Sequence, residues 1–165
     1  MNLDARRVLR LAREEAAAVA TGCHIVLAVL RAGDLPAGEV LRRAGVTLAR
    51  ARTQVEAVTV QTRFRGRSAA PGGFELRALL QAPVRIARAR GDHQIEVEHL
   101  LLGTLEDQAG EAARTLNSLG VDPGTVVAEL SDLLAAAAAR RATAAAPKSM
   151  PAVAARPAEL PQAGL

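Results

Sequence analysis

Residues 24–47 read HIVLAVLRAGDLPAGEVLRRAGVT, and residues 99–122 read HLLLGTLEDQAGEAARTLNSLGVD. The two stretches align without a gap at an offset of 75 residues, and the apolar and glycine positions coincide. Self-similarity at a fixed period indicates that one structural unit occurs twice. The matched pairs are His24 with His99, Leu27 with Leu102, Leu30 with Leu105, Leu41 with Leu116, and Gly45-Val46 with Gly120-Val121.

Helix signals follow the same repeat. Apolar residues at spacings of three and four predict helices, with an N-cap residue before several of them and a glycine after. Pro83 lies inside one predicted helix, where we expect a kink or a break. The predicted helices are Ala5–Val19, His24–Ala32, Pro36–Ala44 after an Asp34 cap, Leu48–Val58 after a Thr47 cap, Glu75–Arg90, Val97–Leu105, Gln108–Ser118, and Pro123 to about Leu134 after an Asp122 cap.

The predicted fold class is all-α, with two four-helix repeats in pseudo-twofold relation. One domain is expected over residues 1–134, with repeat one at about 4–58, a linker at 59–73 and repeat two at about 74–134. The linker is rich in Arg, Gly and Pro and lacks periodicity. Residues 135–165 are expected to extend the last helix and then to form a disordered tail rich in Ala and Pro.

Composition supports helices and narrows the functional classes. Half of the 165 residues are hydrophobic, but there is no Trp or Tyr and only two Phe. A single cysteine, Cys23, excludes an internal disulfide and a cysteine-based zinc site. No uncharged run reaches the roughly 18 residues of a membrane span, and the first residues lack the apolar core of a signal peptide. A soluble cytoplasmic protein is therefore expected.

Charge is strongly segregated along the chain. Residues 58–90 carry a net charge of +6, and residues 91–134 carry −8. The arginine-rich segment 58–90 favours an alternative function, which is nucleic-acid binding. The acidic second repeat and the lack of Tyr and Trp for base stacking argue against that alternative.

Two segments carry a family resemblance: the opening helix ARRVLRLAREEA at 5–16 and EHLLLGTLEDQAGEAARTLNSLGVD at 98–122. The repeat to which these segments belong occurs in two ordered copies over about 4–134. This arrangement resembles the Clp repeat domain, which is the N-terminal substrate-receiving domain of the ClpA and ClpC unfoldases. The only lysine, Lys148, has no glycine-rich loop before it, so the sequence carries no P-loop. The resemblance implies a free-standing, non-catalytic module without the ATPase, cofactors or metal. It would act as an adaptor, modulator or decoy.

The resemblance also implies partners and ligand-binding residues. The partners would be a Clp unfoldase or protease, its substrates and adaptors, and arginine-bearing or cyclic peptides. Glu98 matches the glutamate that receives the guanidinium of phosphorylated arginine, while the first-repeat counterpart is Cys23. Glu96 stands where the family has glycine and would repel a phosphate, so we expect one site that prefers plain arginine. Met1 and Phe74 stand at the family's Phe-Thr opening and are expected beside the ligand.

Four side chains that could suggest other chemistry have simpler interpretations. Cys23 is expected to be a small buried residue rather than a nucleophile, because its neighbour His24 faces away from it on a helix. His24 and His99 begin equivalent helices, so we expect backbone groups to bind them rather than a metal. For Glu98 the alternative interpretation is an acid that stabilises the start of its helix.

Overall fold

The chain folds into eight helices in a computed structural model that describes residues 1–16, 20–64 and 74–145. No strand occurs in these residues, which confirms the predicted all-helical class. The helices are α1 Leu3–Glu15, α2 Gly22–Ala32, α3 Pro36–Arg43, α4 Leu48–Phe64, α5 Phe74–Ala89, α6 Val97–Leu105, α7 Glu111–Ser118 and α8 Pro123–Ala145.

The repeat governs where the helices begin. The first residues of α2 and α6, of α3 and α7, and of α4 and α8 are each 75 positions apart. Gly45 and Gly120 follow α3 and α7 with φ of +85° and +81°, a conformation that glycine adopts at little cost. The predicted cap of α8 is present, since Asp122 accepts a hydrogen bond of 2.9 Å from the Thr125 backbone N–H.

Helix α3 begins at Pro36 as predicted, but its predicted cap was wrong by one residue and the predicted start of α7 was wrong by three. Helices α1, α2 and α5 begin one or two residues before their predicted starts. Leu35, not Asp34, is the N-cap of α3, because Asp34 instead accepts hydrogen bonds from Arg7 of α1, the closest at 3.1 Å. Helix α7 begins at Glu111 rather than Gln108, since Gly110 is its N-cap. Helix α1 ends at Glu15, and residues 17–19 of its predicted extent lie outside the described residues.

The fourth helix of each repeat is longer than the apolar pattern suggests. Helix α4 continues to Phe64, so residues 59–64 of the predicted linker are helical. Helix α8 continues to Ala145 through a run of alanines, the residue with the highest helix propensity, as expected for the extension. The rest of the predicted linker, 65–73, and the predicted tail from 146 lie outside the described residues.

Both repeats share one apolar core. Helix α3 packs against α8, and α7 packs against α4, so the fourth helix of each repeat covers the third helix of the other. The equivalent leucines Leu41 and Leu116 are fully buried in the same cluster as Leu130 of α8. Because both repeats contribute to this cluster, their relative placement is set by hydrophobic burial.

Helices α5 and α6 approach each other closely at Pro83 and Gly103. Helix α5 is continuous across Pro83, so of the predicted kink or break the break is absent, and the kink stays a prediction. A Cβ placed on Gly103 would lie 2.4 Å from Pro83 Cδ, far inside van der Waals contact. The proline ring therefore fills the space that the missing side chain of Gly103 leaves.

We predict that Gly103→Ala destabilises the fold. Alanine normally gains about 1 kcal/mol over glycine within a helix. Here the added methyl overlaps the Pro83 ring, and overpacking of this kind costs about 1–3 kcal/mol. Urea unfolding should show a net loss, which Pro83→Ala in the same chain should relieve in part, because the added methyl also lies 2.7 Å from the Pro83 backbone nitrogen.

Gly124→Ala provides the matched control for this experiment. Its added methyl would lie 3.1 Å from the Asp122 carboxylate, a much looser contact than the 2.4 Å at Gly103. A loss of stability equal to that of Gly103→Ala would show that the close helix approach is not the cause.

Candidate functional site

The start of α6 is held rigidly by a buried histidine. His99 is fully buried, and its Nδ1 accepts a hydrogen bond of 3.0 Å from the Glu96 backbone N–H. The ring proton is therefore on Nε2, which donates to Asp92 Oδ2 at 3.1 Å. Burial lowers the pKa of His99, against the opposing effect of the Asp92 carboxylate. The predicted structural role of this histidine is confirmed.

Glu98 lines a cavity of about 280 Å³ beside this helix start. Within the described residues, no arginine or lysine lies within ion-pair distance of its carboxylate, which is half-buried. Burial raises the pKa of Glu98, and the nearby carboxylates of Glu96 and Asp4 raise it further. The other lining residues are Asn2, Asp4, Leu35, Pro36, Glu96, Val97, Leu133, Ala137 and Arg140.

Glu96 lines the same cavity, but its carboxylate already forms an ion pair with an arginine. Arg141 Nη1 donates to Glu96 Oε1 at 2.6 Å and also binds Asp92. This arginine belongs to the extension of α8, and its neighbour Arg140 lines the cavity itself. The repulsion that the sequence predicts between Glu96 and a phosphate is therefore reduced by two adjacent arginines.

The chain start also reaches this site. The Asn2 backbone N–H donates to the Ile95 carbonyl at 2.9 Å, and the Asn2 side chain caps α1 by accepting from Ala5 N–H at 2.8 Å. Met1 is exposed next to Asn2 without lining the cavity. Phe74 begins α5, but its side chain lies outside the described residues. The structure thus brings Glu96 and Glu98 together, with Met1 nearby.

The first-repeat counterpart has the same local design. His24 Nδ1 accepts from the Thr21 backbone N–H at 3.1 Å, as His99 does in the other repeat. Cys23 is fully buried, and burial raises its pKa to about 11. A thiol with so high a pKa stays protonated at neutral pH and is a poor nucleophile. The prediction that Cys23 is a small buried residue is confirmed, but its stated reason was wrong: His24 does not face away, since its Nδ1 lies 3.8 Å from Cys23 Sγ.

Sequence reasoning missed one carboxylate at this position. Glu111 Oε2 lies 3.7 Å from Cys23 Sγ, although Glu111 belongs to the other repeat. Glu111 and Thr21 line a second cavity, of about 400 Å³. The repeat alignment pairs Cys23 with Glu98 and pairs Glu111 with Pro36, so it carries no sign of a contact between Cys23 and Glu111.

The arginine-rich segment 58–90 is partly neutralised. Arg85 forms an ion pair with Glu106. Arg90 lies 3.9 Å from Asp92 and donates to the Ser131 carbonyl. Arg65 and Arg67 lie outside the described residues. These contacts lower the number of arginines that this segment could offer to nucleic acid.

The described residues contain neither a cluster of metal ligands nor a helix that could span a membrane. In residues 1–16, 20–64 and 74–145, His, Cys, Asp and Glu nowhere form a group of three that could hold a metal ion. None of the described helices is both long and apolar enough to cross a membrane.

Comparison with known proteins identifies the family. Residues 74–155 match the model of the Clp repeat (R) N-terminal domain. Over 126 residues, 73% of this chain, the sequence is 37% identical to the chloroplastic chaperone protein ClpC1 of Oryza sativa subsp. japonica. It is 36% identical to the chloroplastic ClpA homolog of Brassica napus, an ATP-binding subunit of the ATP-dependent Clp protease. The chain spans 14% of the length of each relative.

A solved structure has the same fold. It is the N-terminal domain of the caseinolytic protease associated chaperone ClpD from Arabidopsis thaliana, with a TM-score of 0.63 and 18% identity. The match covers 81% of this chain and 94% of that one. The protein belongs to the Clp N-terminal domain family.

We predict that Glu98→Gln stabilises the fold at pH 7. Because burial raises the pKa of Glu98, the folded state holds this proton more tightly than the unfolded chain does. Ionised Glu98 therefore costs stability, and the cost appears as the pH rises above the ordinary value of 4.5 and through the folded pKa. Glutamine does not ionise and avoids this cost.

Urea unfolding at several pH values measures this effect. The gain from Glu98→Gln should be present at pH 7 and absent below pH 4.5. Asp132→Asn is the control, because Asp132 is an exposed carboxylate on α8 that lines neither cavity. A gain that does not change with pH would contradict a burial effect on Glu98.

Proposed function

We propose that this chain is a non-catalytic peptide-binding module that works with a cytoplasmic Clp unfoldase as an adaptor, modulator or decoy. The observation that carries the proposal is the Glu98 cavity. A half-buried carboxylate without an ion-pair partner among the described residues lines it, and Asp4 adds a second negative charge. Such a cavity is complementary to a cationic side chain on a client protein or peptide.

Arginine is the cation that this site suits best. A guanidinium donates two parallel hydrogen bonds to one carboxylate and is more weakly hydrated than an ammonium group. Apolar lining from Leu35, Val97 and Leu133 supports packing of the aliphatic part of an arginine side chain. The family resemblance supports the same assignment for Glu98.

Phosphoarginine is a further candidate ligand for the same cavity. The sequence suggests that Glu96 repels a phosphate, but Arg141 pairs with Glu96 and Arg140 lines the cavity. A ligand that carries a guanidinium beside a phosphate would find a carboxylate and an arginine there. The affinities of plain arginine and phosphoarginine peptides should therefore be compared directly. Their ratio shows whether the carboxylates or the arginines at the cavity have the larger effect on binding.

We predict that Glu98→Gln weakens binding of an arginine peptide at this cavity by roughly ten- to a hundredfold. Loss of a charge-assisted pair costs about 1.5–3 kcal/mol. Calorimetry with short peptides that contain arginine or phosphoarginine measures the change, with Asp132→Asn as the control that removes a carboxylate elsewhere. An affinity for both peptides that is indifferent to Glu98→Gln would contradict the assignment of this cavity.

The role in the Clp system needs a separate experiment. The chain should co-purify with a Clp unfoldase or with its substrates and adaptors, and a degradation assay with added chain distinguishes an adaptor from a decoy. An adaptor speeds proteolysis of a client, and a decoy slows it. A gel shift of nucleic acid that weakens with salt, in the absence of any Clp partner, would favour the alternative function instead.

A further inference from the structure

We propose that the second cavity is a second site for an arginine side chain, in which Glu111 of repeat two supplies the carboxylate that repeat one lacks. This inference rests on the proposed function. It changes the expectation from one site to two, and it assigns the new site to residues of both repeats.

The two cavities occupy equivalent places in the fold. Thr21 and Gly22 line the second cavity, and their counterparts 75 positions later, Glu96 and Val97, line the first. The same holds for Gly110 and Glu111, whose counterparts are Leu35 and Pro36. Each cavity thus lies between the second helix of one repeat and the third helix of the other.

The carboxylate comes from a different helix in each cavity. In the first cavity it is Glu98, in the first turn of α6. In the second cavity, the residue equivalent to Glu98 is the neutral thiol Cys23. Glu111 begins α7 on the opposite side, and its carboxylate reaches to 3.7 Å from that thiol. The carboxylate of the second cavity therefore lies on the wall opposite to the position of Cys23.

Glu111 is available to a ligand. It is half-buried, and among the described residues no arginine or lysine lies within ion-pair distance of it. The Cys23 thiol contacts the Glu111 carboxylate at 3.7 Å. A thiol is a weak donor, so this contact leaves most of the carboxylate's acceptor capacity unused. A guanidinium would supply stronger, charge-assisted donors.

The remaining walls of the cavity suit the rest of an arginine side chain. Ala78, Leu79 and Ala82 of α5 give an apolar surface on which three methylene groups can pack. Asp107 is exposed at the cavity and adds a second negative charge, as Asp4 does in the other cavity. The volume of about 400 Å³ exceeds that of the Glu98 cavity, so a guanidinium is not excluded by size.

Calorimetry on the full chain tests this inference. The probe is an acetylated and amidated tetrapeptide with one arginine, titrated into the wild type, Glu98→Gln, Glu111→Gln and the double variant. We expect two sites in the wild type, one in each single variant and none in the double variant. Each lost site should weaken by roughly ten- to a hundredfold, and Asp132→Asn should retain both.

The outcomes separate this inference from the function on which it rests. A single site that disappears in Glu98→Gln and survives in Glu111→Gln would overturn the inference and keep the proposed function. Binding that is lost in Glu111→Gln but indifferent to Glu98→Gln would support the Glu111 cavity and contradict the Glu98 assignment. No binding to the wild type would overturn both.

A second measurement places each site. Amide chemical shifts of Gly22 and Gly110 should move with the peptide in the wild type and in Glu98→Gln, because both residues line the Glu111 cavity. They should not move in Glu111→Gln. Thermal unfolding of each variant confirms that a lost signal comes from the site and not from a failure to fold.

Discussion

The fourth helix of each repeat covers the third helix of the other, and the rest of the structure depends on this exchange. Helix α8 packs on α3, and α4 packs on α7, so neither repeat buries its apolar face by itself. The buried residues of both repeats accordingly form one cluster. The exchange also brings the start of a helix from one repeat next to residues of the other, and both cavities lie at such junctions.

Rigid helix starts prepare these junctions for binding. In each repeat a buried histidine accepts the backbone N–H of the residue three positions before it, so the first turn cannot rearrange cheaply. The Glu98 carboxylate is therefore presented from a fixed backbone, which lowers the ordering cost when a ligand binds. The same placement lowers the stability of the fold when Glu98 is ionised, because burial opposes the ionisation of its carboxylate.

The extension of α8 changes the electrostatics of one site only. Arg141 pairs with Glu96 and Asp92, and Arg140 lines the Glu98 cavity. Among the described residues, no arginine lines the second cavity. Both cavities thus share their place in the fold and have a second acid, but among the described residues only the Glu98 cavity has an arginine in its lining. A ligand that carries a positive and a negative charge would therefore bind the two cavities with different affinities.

Much of the fold could be predicted because its signals are local. The 75-residue offset predicts equivalent helix starts, and three of the four pairs begin at that spacing. The histidine caps follow from two equivalent positions at helix starts. The expected break at Pro83 was wrong: helix α5 runs through this residue, and its ring packs against Gly103, twenty positions away.

The sequence by itself determined the helical class, the internal repeat and the position of Glu98 at a helix start. Only the tertiary structure decided what each carboxylate faces. Helix periodicity and capping depend on residues three or four positions apart, so they can be read along the chain. The pair of Glu96 with Arg141 spans 45 positions, and the contact of Cys23 with Glu111 spans 88. Such contacts depend on how the two repeats pack together, because no local pattern connects residues so far apart.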